Sequence, residues 1–145
     1  MNPHPERLKM SQSFYLNTIG TVRKTDEKAW IEIVDEYGDG LLGLDGFSHI
    51  YVFYWFDQND SPEKRKTLQV HPRKDPGNPL TGVFATHSPR RPNLIALTIC
   101  KIESIAENLI FIDEIDAYDE SPVIDIKCYI PGAVPDVEVR LPEWV

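Results

Sequence analysis

A stiff basic turn is the first part of this sequence whose residue types could do chemistry. Residues 86–93 (THSPRRPN) set two arginines between two prolines. Proline fixes φ and removes an amide donor, so the polar groups of such a turn project in preset directions. Arginine offers a planar fork suited to phosphate or carboxylate, and Asn93 supplies both donors and an acceptor. Taken alone, a solvated turn whose arginines pair with acidic neighbours is the commoner structure.

A dense run of carboxylates is the second such part. Residues 113–125 contain Asp113, Glu114, Asp116, Asp119, Glu120 and Asp125. Their spacing does not match an EF-hand loop and Pro122 interrupts the run, so we predict no metal site. Carboxylates can instead accept hydrogen bonds from ribose hydroxyls or an ammonium group, and they favour a nearby positive charge. An acidic hairpin without a ligand is the simpler alternative.

The charge is unevenly distributed along the chain. The whole sequence carries a net charge of −8, but residues 61–101 contain eight basic and two acidic residues, a net of +6. This asymmetry predicts one phosphate-attracting surface on an otherwise acidic protein. Solvated loop charges without a partner are an equally good explanation until the motifs are considered.

The size and composition predict one domain spanning residues 1–145, with 41% apolar residues to build a core. No apolar run approaches the roughly 20 residues needed to span a bilayer, and the first residues lack the apolar core of a signal peptide. We therefore expect a cytoplasmic protein. Cys100 and Cys128 lie in strand-like surroundings and are predicted to be buried, reduced thiols.

Short strand-like segments joined by turns dominate the hydrophobic pattern. They predict a mainly β fold with few short helices, in which an antiparallel sheet curls or closes into a barrel. The predicted strands are residues 13–22, 28–34, 49–56, 82–86, 94–105, 108–116 and 123–129. Residues 49–56 (HIYVFYWF) are expected to be buried on both faces.

Finer expectations attach to three segments. Ile124, Ile126 and Cys128 are predicted to share one face of their strand. Ser61 is predicted to cap a short helix that begins at Pro62. Residues 69–80 contain three prolines and a glycine and are expected to form a loop. The sequence contains neither a P-loop nor a dinucleotide-binding glycine fingerprint, so a nucleoside ligand would bind outside a doubly wound fold.

Two segments resemble the signatures of a known family. Residues 82–98 (GVFATHSPRRPNLIALT) are similar to G-V-F-A-T-R-S-P-x-R-P-N-P-I-G-L, and residues 112–131 (IDEIDAYDESPVIDIKCYIP) to D-x-x-D-G-T-P-V-x-D-I-K-P-Y-x-P. Matches at TIGTV and GLDGFSHIYVF extend the similarity over nearly the whole chain. The chain thus resembles the TrmO/TsaA-like family of S-adenosylmethionine-dependent tRNA methyltransferases.

The resemblance implies a β-barrel homodimer that binds S-adenosylmethionine near the subunit interface and methylates N6 of threonylcarbamoyladenosine at tRNA position 37. It implies cofactor contacts at Phe56, Asp57, His87, Leu97, Asp116, Ala117, Tyr118 and Asp119. Asn93 and Asp125 are the candidates for accepting a hydrogen bond from the exocyclic N–H. The residues expected to bind the tRNA anticodon loop are Lys64, Lys66, Arg73, Lys74, Arg90, Arg91, Lys127 and Tyr129.

The chain departs from the family pattern in several places. An early glutamine- and proline-rich loop that contacts the cofactor in the family is missing, because only residues 24–29 (KTDEKA) separate Arg23 from Trp30. His87 stands in place of arginine, Leu94 in place of proline, Ala96 and Glu120 in place of glycine, and Ser121 in place of threonine. Leu94 is expected to release the fixed turn, and Glu120 to avoid a positive φ. These departures leave two alternatives open, namely a non-catalytic S-adenosylmethionine-binding module and a methyltransferase that acts on a small molecule.

Overall fold

The computed structural model describes residues 12–132 and 138–145. Its strands are β1 (Gly20–Lys24), β2 (Ala29–Ile33), β3 (His49–Trp55), β4 (Gln69–Val70), β5 (Thr81–Gly82), β6 (Ile95–Ala106), β7 (Leu109–Ile112) and β8 (Pro122–Cys128), and its α-helix is α1 (Pro62–Lys66). Six strands form a closed barrel in the order β1-β2-β7-β6-β3-β8, and β4 and β5 form a separate ribbon. The predicted antiparallel β-barrel with few short helices is confirmed.

The barrel is closed by pairings of unequal length. All seven residues of β3 pair with β6, from His49↔Lys101 to Trp55↔Ile95. In contrast, β1 pairs with β8 only through Gly20↔Val123 and Thr21↔Pro122. A Cβ atom at Gly20 would collide with the backbone carbonyl of Glu32, so the strand can approach its neighbours this closely only with glycine.

The core lies inside the barrel and consists mainly of β-branched side chains. Val22, Ile31, Ile50, Val52 and Ile110 are fully buried there. In β3 the residues alternate strictly between buried and half-buried. The prediction that residues 49–56 are buried on both faces is therefore wrong, and the outer face of β3 is partly open to solvent.

Four predicted strands differ in extent or facing. The strand expected over residues 13–22 begins only at Gly20, and the one expected over residues 108–116 ends at Ile112. Residues 82–86 form the end of β5 followed by a 3₁₀ turn at Val83–Ala85. A bulge in β8 lets Val123 face Tyr54 while Asp125 faces Phe53, so Ile124 has no partner on β3. The expected common face therefore holds for Ile126 and Cys128 but not for Ile124.

The predicted helix cap is confirmed. The Ser61 hydroxyl oxygen accepts a hydrogen bond from the Lys64 amide at 3.3 Å, and Pro62 takes the first position of α1. Cys100 is buried as predicted, whereas Cys128 is only half-buried, and both are free thiols. Within residues 12–132 and 138–145, no helix is long and apolar enough to cross a membrane.

Candidate functional site

A cleft opens where β3 ends, beside the loop that joins β7 to β8. We call residues 113–121 the acidic loop. The cleft has a volume of about 30 Å³ and is lined by Tyr54, Trp55, Phe56, Asp57, Gln58, Asn59, Asp116, Ala117, Tyr118 and Ser121. Five of the eight residues that the resemblance assigned to the cofactor, Phe56, Asp57, Asp116, Ala117 and Tyr118, thus lie together although they come from distant parts of the chain.

The end of β3 forms the aromatic side of the cleft. The rings of Tyr54 and Phe56 meet edge to face with their centroids 5.9 Å apart. The amide of Phe56 donates to the carbonyl of Leu94 at 2.9 Å, which fixes the chain as it leaves the barrel. Burial, with a smaller contribution from the Asp116 carboxylate, raises the pKa of the Tyr54 phenol. Tyr54 therefore stays neutral at physiological pH, and its hydroxyl lies 3.3 Å from that of Thr98.

The acidic loop forms the opposite side through an alternation of buried and exposed residues. Ile115 and Ala117 are buried, whereas Asp116 and Tyr118 are exposed and line the cleft. The ammonium of Lys24 donates to the carbonyls of Ile115 and Ala117 at 2.8 and 2.9 Å. This lysine on β1 was not among the sequence-predicted site residues, because nothing in its local sequence shows which distant carbonyls it meets.

The last turn of the acidic loop is fixed by the backbone of β1. The Asp119 carboxylate accepts a hydrogen bond from the Lys24 amide at 2.8 Å, and the Glu120 amide donates to the carbonyl of Val22 at 2.7 Å. Asp119 is therefore engaged by the protein itself and is not among the residues that line the cleft. Buried Ser121 completes the turn, since its hydroxyl donates to the carbonyl of Tyr118 at 2.8 Å.

Glu120 adopts a left-handed backbone conformation. Its φ is +71°, so the expectation that it would avoid positive φ is wrong. Glycine, which the family signature has at this position, adopts such a conformation without strain, and in this chain three neighbouring hydrogen bonds hold the Glu120 backbone in it. The Glu120 side chain points into solvent and pairs with Arg23, with a nitrogen-to-oxygen distance of 3.5 Å.

Residues 86–93, which we call the basic turn, are held mainly by their own hydrogen bonds. One guanidinium nitrogen of Arg91 donates to the carbonyls of Thr86 and Ser88 at 3.2 and 3.0 Å. The Thr86 and Ser88 hydroxyls in turn accept from the amides of Ser88 and Arg90, both at 3.1 Å. Arg91 is thus part of the turn's own structure, while the Arg90 side chain is exposed.

Arg65 of α1 connects the basic turn to the end of β3. Its Nε donates to the carbonyl of Pro92 at 2.9 Å, and its guanidinium lies 5.5 Å from the centre of the Trp55 ring. Asp60 binds both partners, accepting from Arg65 at 3.4 Å and from the Trp55 indole at 3.1 Å. The local sequence marks Arg65 only as one of the basic residues between positions 61 and 101, because its partners are up to 27 positions away.

Comparison with known proteins identifies the family. The family model of the tRNA-methyltransferase O N-terminal domain matches residues 17–133. The chain belongs to this family. The resemblance inferred from the two signature segments is therefore confirmed.

Relatives within the tRNA-methyltransferase O family carry two kinds of name. The "Probable S-adenosyl-L-methionine-binding protein" of Methanocaldococcus jannaschii is 53% identical over 116 residues, covering 80% of this chain and 92% of that protein. One with the same description from Pyrococcus horikoshii is 45% identical and covers 81% and 84%. The tRNA (adenine(37)-N6)-methyltransferase of Homo sapiens is 40% identical over 90 residues, which are 62% of this chain but 20% of that protein.

Solved structures share the fold. A crystal structure of TrmO from Pseudomonas aeruginosa superposes with a TM-score of 0.69 at 23% identity, covering 92% of this chain and 62% of that one. A second TrmO structure gives a TM-score of 0.67 at 25% identity, covering 88% and 64%. The chain thus spans less than two thirds of the length of these solved structures.

Two departures from the tRNA-methyltransferase O pattern are absorbed by the core. Leu94 is fully buried where the signature has proline, and its carbonyl holds the Phe56 amide. Ala96 is buried opposite Tyr54 where the signature has glycine. The expectation that Leu94 releases the turn is therefore wrong, because apolar burial fixes this residue instead of a proline ring.

The remaining predicted residues lie away from the cleft. His87 and Asn93 are exposed in the basic turn. Leu97 and Asp125 flank Phe53 on the outer face of the barrel, because both pair with it in register. Asp125 accepts a hydrogen bond from the amide of its neighbour Ile126 at 2.9 Å. The two candidate catalytic residues, Asn93 and Asp125, are thus not among the cleft-lining residues of one chain.

Most of the basic residues predicted to bind tRNA have no acidic partner. Among the described residues there are two ion pairs, Arg23–Glu120 and Arg65–Asp60. Lys64 donates to the backbone carbonyl of Gln58 at 3.3 Å, and the Tyr129 ring packs at 5.3 Å on Tyr51. Among the eight residues predicted to bind tRNA, those that are exposed and have no carboxylate partner within the described residues are Lys66, Arg73, Lys74, Arg90 and Lys127.

Proposed function

We propose that this chain is an S-adenosylmethionine-dependent methyltransferase that acts on N6 of threonylcarbamoyladenosine at position 37 of tRNA. One observation carries the proposal: Phe56 and Asp57 meet Asp116, Ala117 and Tyr118 in a single cleft. Membership of the tRNA-methyltransferase O N-terminal domain family supports the reaction class. Because the proposed substrate is tRNA, we also propose that the protein acts in the cytoplasm.

The chemistry of the cleft fits the cofactor. S-adenosylmethionine supplies a methyl group activated by a positively charged sulfur. Phe56 and Tyr118 offer aromatic faces on which an adenine can stack, and the carboxylates of Asp57 and Asp116 can accept from hydroxyl and ammonium groups. Both carboxylates also favour a positive charge. Relatives named as S-adenosyl-L-methionine-binding proteins, matched over 84% or more of their length, support this assignment.

A homodimer completes the site. The cleft of about 30 Å³ lies far below the roughly 300–1,000 Å³ of ordinary small-molecule pockets, so one chain encloses the cofactor incompletely. The outer face of β6 presents Ile95, Leu97 and Ile99, which are 44–52% exposed. Ile95 pairs with Trp55, a residue of the cleft, so this apolar face reaches the cleft's rim. A second copy on this face buries it and brings Leu97 and Asp125 to the shared site.

The basic residues provide the surface for tRNA. Lys66, Arg73, Lys74 and Arg90 can contact phosphates without breaking an ion pair. The name of the human relative supports tRNA adenine 37 as the substrate. In the reaction the methyl group would move from the sulfonium to N6, the sulfur would keep the electron pair of the broken bond as a neutral thioether, and the N6 proton would be released to solvent. The carbonyl of Asn93 or the carboxylate of Asp125 accepts a hydrogen bond from that N–H before the transfer. Holding the nitrogen in line is the larger part of the task.

Single-turnover methyl transfer tests the proposal. Labelled methyl is followed from S-adenosylmethionine to tRNA carrying threonylcarbamoyladenosine and to the unmodified transcript, with cofactor binding measured calorimetrically on the same sample. We expect transfer only to the modified tRNA. Transfer to neither tRNA would overturn the substrate assignment, and absence of cofactor binding would overturn the proposed site.

The main alternative is a binding module without transferase activity. It is favoured by one observation, that relatives matched over most of their length are named as binding proteins, whereas the human methyltransferase is matched over 20% of its length. Cofactor binding without transfer to any acceptor would support this alternative. Transfer to a small acceptor but not to tRNA would instead identify a small-molecule methyltransferase.

The dimer has its own test. Leu97→Asp introduces a charge into the centre of the apolar outer face. The control, Lys101→Asp, reverses a charge that is already present farther along β6, beside His49. Sedimentation velocity should give a dimer for the native chain and for Lys101→Asp but a monomer for Leu97→Asp. A monomeric native chain at micromolar concentration would contradict the proposal.

A further inference from the structure

We propose that Lys24 is a positioning residue of this site. Its ammonium group holds the acidic loop in the conformation that lines the cleft. Lys24 does not touch the cofactor directly, and its replacement weakens cofactor binding through the loop. The inference rests on the proposed function, because it assigns the cleft to S-adenosylmethionine. Neither the family signatures nor the earlier prediction of cofactor contacts included this residue.

The contacts of Lys24 are aimed at the segment that faces the cleft. Its Nζ lies 2.8 Å from the carbonyl oxygen of Ile115 and 2.9 Å from that of Ala117. These carbonyls flank Asp116, whose side chain lines the cleft. An ammonium has three donors and no acceptor, so it can bind two carbonyls at once and fix the peptide units on both sides of Asp116.

Nothing else in the described part of the chain holds these two carbonyls. No backbone amide among residues 12–132 and 138–145 donates to the carbonyl of Ile115 or Ala117. Lys24 therefore takes the place that a neighbouring strand would have in a sheet. Without its side chain, both carbonyls lose their partners and the segment loses its only polar tether to β1 at this point.

The rest of the acidic loop is held independently of the Lys24 side chain. The Asp119 carboxylate binds the Lys24 backbone amide, and the Glu120 amide binds the carbonyl of Val22. Both bonds remain when the Lys24 side chain is changed. A substitution at Lys24 should therefore loosen residues 115–118 while the turn at residues 119–121 and the barrel keep their structure.

The charge of Lys24 allows positioning to be separated from electrostatics. A positive charge beside the cleft opposes the binding of a cation, so removing that charge alone would tighten the binding of positively charged S-adenosylmethionine relative to its uncharged product, S-adenosylhomocysteine. Loss of positioning acts in the opposite direction and weakens both ligands. The sign of the change thus identifies the role.

The experiment compares Lys24→Met with Lys28→Met in the full chain. Lys28 is exposed on the same β1–β2 hairpin, so its replacement removes the same charge away from the acidic loop. Calorimetry should show that Lys24→Met raises the Kd of both ligands at least tenfold, whereas Lys28→Met changes each by less than twofold. A Kd for S-adenosylmethionine in folded Lys24→Met that is unchanged or lower would overturn the proposal.

Methyl NMR relaxation of the unliganded protein provides a readout that needs no cofactor. We expect the order parameters of the Ile115 and Ala117 methyl groups to fall in Lys24→Met, while those of Ile31 and Ile110 in the barrel stay as in the native chain. Unchanged order at Ile115 and Ala117 would also overturn the inference.

The design separates this proposal from the one it rests on. Failure of the native chain to bind either ligand would overturn the proposed function, and the relaxation data would still decide whether Lys24 orders the loop. If Lys24→Met does not fold, Lys24→Gln is used with the same criteria, since its shorter amide can bind one carbonyl at most. A Lys24→Gln variant that matches the native Kd and methyl order would then overturn the inference.

Discussion

The acidic loop and the basic turn carry the two family signatures, yet they are held in different ways. The basic turn is fixed mainly from within, by Arg91 bonds that reach three and five positions along the chain. The acidic loop is fixed from outside, by Lys24 bonds that reach 91 to 95 positions. The turn thus keeps its shape locally, whereas the loop takes its shape only when the barrel has formed.

The two segments also differ in what they offer a partner. The acidic loop buries Ile115 and Ala117 and presents Asp116 and Tyr118 to a cleft. The basic turn presents Arg90 and His87 to open solvent. Because a cleft suits a small ligand and an open charged surface suits a large polyanion, the difference supports the proposal that the cofactor binds at the acidic loop and tRNA at the basic turn.

Removing the exposed positive charges should give the largest effect, on tRNA affinity alone. Replacing Lys66, Arg73, Lys74 and Arg90 together by alanine removes up to four phosphate contacts, which should lower affinity roughly 10³-fold near 0.1 M salt and make the log–log salt slope about three units shallower. Filter binding across a salt series measures both quantities. Cofactor affinity should not change, and an unaltered salt slope would show that tRNA binds elsewhere.

Substitution of the two neighbouring arginines should show which of them stabilises the basic turn and which is only exposed on its surface. Arg91→Ala removes two hydrogen bonds to backbone carbonyls and should lower the free energy of unfolding by about 2 kcal/mol. Arg90→Ala is the matched control and should change it by less than about 0.5 kcal/mol. Urea denaturation measures both. Equal losses would mean that the turn is not built around Arg91.

Alkaline pH should act on the barrel beside the acidic loop. Burial, followed by the charges of Asp113 and Glu114, raises the pKa of the Cys100 thiol to about 12. The folded state therefore keeps a proton that the unfolded chain loses near the ordinary thiol pKa of about 8.5–9. This contribution to stability is complete below that pH and is lost as the pH rises toward about 12, by no more than about 1.4 kcal/mol per pH unit.

Urea denaturation between pH 8 and pH 11 measures this dependence. Cys100→Ser has no thiol to ionise, so its stability should fall less steeply over the same range, whatever its stability at neutral pH. Parallel pH profiles for the two proteins would contradict the assignment. Cys128, which is half-buried, should react with a thiol reagent before Cys100 does.

A glycine in the acidic loop should give the smallest effect. Glu120→Gly relieves a left-handed conformation that costs an L-residue about 1–2 kcal/mol, but it also raises the entropy of the unfolded chain by about 0.4–1 kcal/mol. We expect a net stabilisation below about 1 kcal/mol, measured by thermal unfolding, and an unchanged cofactor Kd. A weaker cofactor affinity would show that the Glu120 side chain contributes to the site.

The sequence predicts those parts of the fold that depend on local pattern. Strand alternation and the Ser61 cap were predictable, because each depends on residues a few positions apart. Closure of the barrel depends on strands about a hundred residues apart, and the family resemblance supplied that expectation. The bulge at Ile124 and the left-handed Glu120 were not predictable, since both depend on which strands lie alongside. The β3 prediction failed for a related reason, because an apolar run does not show what packs on its outer face.

The candidate site shows the same division. The family resemblance assigned Phe56, Asp57 and the segment from Asp116 to Tyr118 to the cofactor, and these residues meet in the cleft. It included neither Lys24 nor Arg65, because a lysine or arginine in a short polar stretch has the same local sequence whether it is solvated or bonded to a distant carbonyl. Long-range hydrogen bonds to backbone groups produce no periodic pattern in the sequence.

The two-pair contact between β1 and β8 has a consequence for how a new chain acquires its site. During synthesis β1 is made about a hundred residues before its partners in β8 and in the acidic loop. The side of the cleft that contacts Lys24 cannot form until those partners are made, even though β2 and β3 are already available. We therefore expect a nascent chain to bind the proposed cofactor only after β8 has been made, so that binding reports closure of the barrel.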